Sequence, residues 1–182
     1  MITAVATAVA LTFGSTPPSA PPAGYESLVD STEALSLVVP EAWTDQAVSP
    51  VSLDDGSEIP FLAASTELGA IYEGEFAAPG VIYTGFPSTG DLLSLMETYG
   101  PPRDCESMET EGFYDQRYFG IMQVGLDCGP HHMTWNMVIA NRVEEPHFTA
   151  MLQIQTADDA ERLTILETFD IGPNAASVFV NP

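Results

Sequence analysis

Apolar and polar residues alternate most regularly in two segments near the carboxyl end of the chain. Successive side chains of a β-strand point to opposite faces of a sheet, so this alternation indicates strands. Residues 141–147, which connect the two segments, have the length of a hairpin loop. The alternating apolar residues are Trp135, Met137 and Ile139, followed by Ala150, Leu152 and Ile154. The pattern therefore predicts two antiparallel strands here.

Shorter apolar runs, bounded by proline and glycine, predict the other elements. Further strands are predicted over residues 35–39, 61–64, 81–86 and 119–126. Helices are predicted over residues 66–72 and 91–99 and after residue 156. Thr156 is predicted to cap the last helix, with Asp159 three positions later in a capping-box-like pair.

Strands bunched into a meander and flanked by helices are typical of the α+β class. We expect an antiparallel sheet of about five to seven strands with packed helices. A single globular domain is predicted over residues 25–171, followed by a carboxyl-terminal tail over residues 172–182.

The amino-terminal residues differ in composition from the rest of the chain. Residues 1–13 form an apolar segment and residues 14–24 a linker rich in proline, serine and glycine. The apolar run is shorter than the about 20 residues of a membrane span and has the length of a signal-peptide core. No Lys or Arg follows Met1, so either a basic region lies upstream or a neutral start serves as the signal. A buried element of the domain is the structural alternative.

The charge of the chain is strongly negative, with 26 acidic residues against 4 basic residues and a net charge of −22. All four basic residues are arginines, at positions 103, 117, 142 and 162. Phosphate backbones and anionic lipid headgroups would repel such a surface, which argues against nucleic-acid binding and against membrane binding through a basic patch. The composition suits a salty, extracytoplasmic setting.

The two cysteines, Cys105 and Cys128, form an even count in a chain that carries a signal-like start, and this predicts one disulfide. A zinc site is the alternative, because His131 and His132 follow Cys128 closely. It would need both thiols reduced, and the ligand spacing matches no common zinc motif.

Motifs that carry chemistry are absent from the sequence. There is no G-x-S-x-G elbow, phosphate-binding loop or dinucleotide glycine pattern. A Ser–His–Asp site would need His131, His132 or His147 as its base, and no spacing selects a triad. No catalytic residue and no cofactor is predicted.

The stretch that contains Asp54, Asp55 and Glu58 offers carboxylates around a glycine, but it lacks the alternate ligands of an EF-hand. We interpret it as an acidic turn, with calcium binding as the alternative. His131, His132 and these three acids are the candidate site residues. Other acids are expected on solvated faces: Glu109, Glu111, Asp115, Glu144 and Glu145. Six aromatic residues are assigned to packing rather than to a ligand cage: Trp43, Tyr72, Phe76, Tyr83, Phe86 and Trp135.

The order of several short motifs resembles an uncharacterised extracytoplasmic domain of actinobacterial secreted proteins, which also occurs beside trypsin-like protease domains. The motifs are LSLVVPEAW at 35–43, FLAAS at 61–65, APGV at 78–81, the segment around Cys105, YFG at 118–120, DCG at 127–129, LQIQ at 152–155 and ILETF at 165–169. The opening strand and its P-x-x-W step are also similar to PsbP/Mog1-like domains, and this similarity implies an α/β/α sandwich with an antiparallel sheet. The resemblance implies an exported domain with a Cys105–Cys128 disulfide and no catalytic residues to carry over. Pro130 departs from the family's usual DCGG pattern.

Together these observations predict a non-enzymatic domain, secreted or tethered by its amino terminus, which binds an unidentified protein or small ligand through a sheet face or loops. A hydrolytic or protease-associated enzyme that uses one of the histidines is the first alternative. A calcium-binding module is the second.

Overall fold

A computed structural model of the chain describes residues 20–88, 90–100, 104–144, 146–172 and 174–178. Its strands are β1 (Tyr25–Val29), β2 (Leu35–Pro40), β3 (Asp45–Ala47), β4 (Val51–Ser52), β5 (Glu58–Ile59), β6 (Phe61–Ser65), β7 (Gly80–Pro87), β8 (Ser107–Tyr114), β9 (Tyr118–Cys128), β10 (Met133–Arg142), β11 (Phe148–Thr156) and β12 (Asp170–Ile171). Its helices are α1 (Leu68–Tyr72), α2 (Leu92–Thr98), α3 (Asp159–Thr168) and α4 (Ala175–Val178).

Seven of these strands form one antiparallel sheet in the order β3-β6-β7-β11-β10-β9-β8. A three-stranded antiparallel sheet has the order β1-β2-β12, and β4 pairs with β5 in a small hairpin. Consecutive strands β8 to β11 are neighbours, so short hairpins build half of the large sheet. Strands β7, β6 and β3 complete it on the other side of β11.

One face of the large sheet packs against the three-stranded sheet and α3. We call it the small-sheet face. Val138, Leu152 and Tyr83 of the large sheet share a buried cluster with Leu37 of β2 and Phe169. Each fully buried aliphatic side chain contributes about 1.5–3 kcal/mol relative to an exposed one.

The opposite face of the large sheet carries Trp135, Met137 and Ile139, and we call it the disulfide face. These residues form a second buried cluster with Met96 of α2 and Cys128. The predicted alternation along β10 is therefore present, but both phases are buried, because the strand lies between two covered faces.

Side-chain capping sets where the longer helices begin. Asp91 accepts a hydrogen bond from the backbone N–H of Ser94 and caps α2, within the range predicted from the sequence. The predicted cap of the last helix is wrong. Asp158 caps α3 by accepting from the N–H groups of Ala160 and Glu161, and the Thr156 hydroxyl instead donates to the Glu161 carboxylate.

Two arginines attach the end of α3 and strand β12 to the large sheet. Arg117 donates to the backbone carbonyls of Glu167 and Phe169, at 2.8 and 2.9 Å. Arg142 donates to the carbonyl of Ile171 at 2.5 Å. Hydrogen bonds from a charged donor are stronger than neutral ones, so the scarce basic residues are used for structure here.

The predicted α+β class with an α/β/α sandwich is wrong. Strands dominate the structure, and helices α1, α2 and α3 have only five, seven and ten residues. Helices this short cover parts of a sheet but do not form layers on both of its faces. The protein is a β-rich fold built on a seven-stranded antiparallel sheet.

Several sequence predictions fall on parts of the chain outside the described residues. These are the apolar segment 1–13, the first part of the 14–24 linker, Arg103, Glu145, and residues 173 and 179–182 of the predicted 172–182 tail. Among the described residues, no helix has both the length and the apolar composition needed to cross a bilayer.

Two buried tyrosines on the small-sheet face make stability sensitive to alkaline pH. Burial raises the pKa of Tyr83 well above its ordinary value. Burial and the nearby Asp170 carboxylate raise the pKa of Tyr118. The Tyr118 hydroxyl donates a hydrogen bond to this carboxylate, with 2.9 Å between the two oxygen atoms. Both side chains therefore stay neutral in the folded state at a pH where the unfolded chain ionises.

We predict that the free energy of unfolding falls as the pH rises above about 10, by up to about 1.4 kcal/mol per pH unit for each buried tyrosine. Urea denaturation between about pH 8 and pH 11 measures this slope. Tyr83→Phe should make the slope shallower, whereas Tyr114→Phe, at a side chain that is 79% exposed, should leave it unchanged. An equal slope in all three proteins would contradict the prediction.

Candidate functional site

A cleft of about 310 Å³ opens on the disulfide face of the large sheet. Its floor is formed by the central strands, through Ile82 of β7, Gln153 and Gln155 of β11, and Trp135 of β10. Helix α1 lies on one side, and Gly100, which follows α2, lies on the other. The volume is at the lower end of the range for small-molecule pockets, about 300–1,000 Å³.

Two glutamines place polar groups on this otherwise apolar floor. Gln155 is buried, and its Nε2 atom donates to the carbonyl of Ala78 at 2.7 Å. Gln153 lies opposite both Met137 and Ile82 in the strand register, is half-buried, and makes no side-chain hydrogen bond to any described residue. Its carboxamide therefore offers a donor and an acceptor to a molecule in the cleft.

Aromatic side chains form the wall of the cleft. Tyr72 is at the mouth and is 53% exposed, whereas Phe76 is buried. Partial burial and the nearby Asp45 carboxylate raise the pKa of Tyr72. The Tyr72 hydroxyl thus remains a hydrogen-bond donor at neutral pH, and its surroundings disfavour an anionic ligand.

Phe76 is held by the turn between β9 and β10. Gly129 in this turn has φ +63°, and a Cβ atom there would lie 2.4 Å from the Cβ of Phe76. Only glycine allows this approach without a shift of the backbone or of Phe76. The position of the turn therefore determines the position of the cleft wall.

The predicted disulfide is confirmed, since Cys105 and Cys128 are bonded to each other. The zinc alternative is therefore wrong, because neither sulfur is a free thiolate. A Cβ atom at Gly125 would lie 2.7 Å from Cys105 Sγ and 3.0 Å from Cys128 Sγ, so the glycine makes room for the bond. The bridge ties the residues before β8 to the turn after β9, and it is consistent with an extracytoplasmic location.

The candidate histidines are exposed and lie away from the cleft floor. His131 and His132 are in the β9–β10 turn, where the Nδ1 atom of His132 is 3.6 Å from a carboxylate oxygen of Asp127. His147 precedes β11, and its backbone carbonyl accepts from the N–H of Ser88. Within the described ranges, no imidazole is hydrogen-bonded to a serine hydroxyl.

The acidic stretch forms the β4–β5 hairpin, as an exposed turn. The Ser57 hydroxyl and then the Ser57 backbone N–H donate to the Asp55 carboxylate, and these bonds lower its pKa. Asp54 and Glu58 are also exposed, and no hydrogen bond or ion pair joins this hairpin to the histidine turn. In the part of the chain that the structure describes, no group of three or more His, Cys, Asp or Glu side chains could hold a metal ion.

The other acids that were expected on solvated faces, and that the structure describes, do not line the cleft. Glu109 and Glu111 are exposed on β8, Glu144 is exposed in the hairpin after β10, and Asp115 pairs with Arg117 at 3.5 Å.

The sequence patterns do not predict the cleft. Three of the aromatics assigned to packing, Tyr72, Phe76 and Trp135, line it. Gln153 and Gln155 are the polar residues that alternate with Leu152 and Ile154 in the predicted strand, a pattern that is typical of a sheet with one solvent-facing side. Since β11 is the central strand of a sheet that is covered on both faces, these amides face a partly filled interior instead.

No protein-family model and no curated protein sequence matches the chain.

We predict that the double substitution Cys105→Ala and Cys128→Ala lowers the free energy of unfolding by about 2–4 kcal/mol. Without the disulfide, the unfolded chain regains the conformational entropy that closing the loop had removed. Denaturant titration of the oxidised parent and of the variant measures the difference. The reduced parent should behave like the variant. Equal stability of oxidised parent and variant would show that the bridge does not constrain the fold.

Proposed function

We propose that the protein is an exported, non-enzymatic binding domain that takes a small organic ligand in the cleft on its disulfide face. The observation that carries the proposal is the half-buried Gln153 carboxamide, which lies on the floor of the cleft and makes no hydrogen bond to any described residue. Its oxygen and nitrogen atoms are accessible from the cleft, so a ligand or water there can supply their hydrogen bonds.

The disulfide and the composition support the exported location. Structural disulfides persist in oxidising compartments, and Cys105 and Cys128 are the only cysteines of the chain. The signal-like residues 1–13 and the resemblance over residues 25–171 to an extracytoplasmic domain of secreted actinobacterial proteins point the same way.

The chemistry of the cleft defines the ligand that fits. Ile82 and the ring of Tyr72 offer apolar contact, and Gln153 offers one donor and one acceptor that an amide or lactam group would complement. Asp45 and the overall charge of −22 disfavour an anion. We therefore expect a small, neutral or cationic ligand with an amide-like polar edge.

Binding rather than catalysis is supported by the titratable groups at the cleft, since Tyr72 at its mouth is the only one among the described residues that line it. His131 and His132 are in an exposed turn, and neither lines the cleft. General acid–base catalysis needs such a group within hydrogen-bond reach of the reacting atom.

We predict that replacing His131, His132 and His147 together by alanine leaves ligand binding and the melting temperature nearly unchanged, because the three side chains are exposed. Serine-hydrolase probes should not label the parent protein. If the probes label the parent protein and the folded triple variant is not labelled, the protein is a hydrolase and the binding proposal is wrong.

A fragment library of primary amides and lactams tests the cleft directly. We expect binders that raise the melting temperature of the parent and that lose at least tenfold in affinity for Gln153→Leu. The matched control is Gln123→Leu, since Gln123 lies in the same row of the same face, beyond Met137, and does not line the cleft. Equal binding to the parent and Gln153→Leu, or no binder at all, would overturn the proposal.

A further inference from the structure

Strand β8 is an open edge of the large sheet. All eight of its residues pair with β9 without a register shift, and no strand of the described chain pairs with its other side. Six of the eight residues are exposed, and a Cβ atom at Gly112 would meet nothing within 4 Å. Natural sheets usually protect such an edge with charged side chains, proline or a bulge; β8 contains no proline and no bulge, and its charged side chains are Glu109 and Glu111.

The hydrogen-bonding phase of β8 follows from its hairpin with β9. The N–H of Asp115 donates to the carbonyl of Tyr118, the residue opposite it. These two residues are therefore a hydrogen-bonded pair of the ladder. Because hydrogen-bonded pairs alternate with non-bonded ones in an antiparallel ladder, the backbone groups of Glu109 and Glu111 point towards β9. Those of Thr110 and Gly112 point outwards, away from the sheet.

Charge determines which strand fits this edge. Glu109 and Glu111 lie on one face of β8, and Glu106 and Asp115 flank its two ends. A second copy of the chain, paired antiparallel about Thr110, would place Glu109 opposite Glu111 twice, and like charges opposite each other destabilise a sheet. A strand with lysine or arginine at alternate positions would instead place a cation opposite each acid.

We propose that β8 accepts a basic, extended segment of a partner protein as an eighth, antiparallel strand of the sheet. The outward backbone groups of Thr110 and Gly112 supply the ladder hydrogen bonds, and Glu109 and Glu111 select the charge of the incoming strand. This surface is separate from the cleft, because no residue of β8 lines it. The inference therefore does not depend on the ligand proposed there.

The test uses a ten-residue peptide that alternates lysine with threonine, and the same peptide with glutamate in place of lysine. We expect the lysine peptide to bind the parent with an affinity that falls as salt increases, and the glutamate peptide to show no binding. Gly112→Pro removes an outward N–H without touching the bonds to β9, and it should weaken binding at least tenfold. Gly112→Ala is the matched control at the same position, and it should bind like the parent.

A second version of the test changes the peptide instead of the protein, so it does not depend on whether a substituted protein folds. Methylating the peptide nitrogens of one alternate set blocks the bonds to β8, whereas methylating the other set blocks only the solvent side. One set should abolish binding and the other should preserve it.

Three results would overturn the inference. Undiminished binding of both methylated peptides would show that the acids attract the peptide without strand pairing. Absence of binding to the parent would show that the acids only keep edges apart. Dimerisation of the parent that Gly112→Pro abolishes would identify a second copy as the occupant.

Discussion

The burial of the central strands β10 and β11 on both faces is the constraint on which the rest of the structure depends. Nearly every side chain of β10 is buried, with Val138 towards the small sheet and Met137 towards α2. A strand buried on both sides must be covered on both sides. The three-stranded sheet and α3 cover one face, and α1, α2 and the disulfide-bonded turn cover the other only in part.

The incomplete cover of the second face creates the cleft. Short helices leave a gap over the middle of β11, where Gln153 lies, and the disulfide holds the turn whose Gly129 supports Phe76. The disulfide therefore helps to position the cleft wall, because it fixes the turn that contacts Phe76. The two arginines of the small-sheet face, Arg117 and Arg142, serve the opposite layer and leave no positive charge of their own in the cleft.

Sequence patterns predicted the elements that are buried and missed those that are not. The strands over 135–139 and 150–154 were predictable because they are long and rich in apolar residues, and the helix over 91–99 because Gly100 and the prolines after it mark its end. Strand β8 carries no such alternation, since its residues are exposed at an edge. Because strands such as β8 were not predicted, the predicted helices made up too large a share of the elements. The fold was therefore assigned to the α+β class. The cleft was not predictable, because it depends on where separate elements leave a gap.

Amide hydrogen exchange along the large sheet tests the central claim, a sheet buried twice at its centre and open at β8, most directly. The account predicts the slowest exchange in β10 and β11, and along β8 an alternation in which Glu109 and Glu111 exchange slowly while Thr110 and Gly112 exchange fast. Uniform protection along β8, or faster exchange in β10 than in β8, would contradict it.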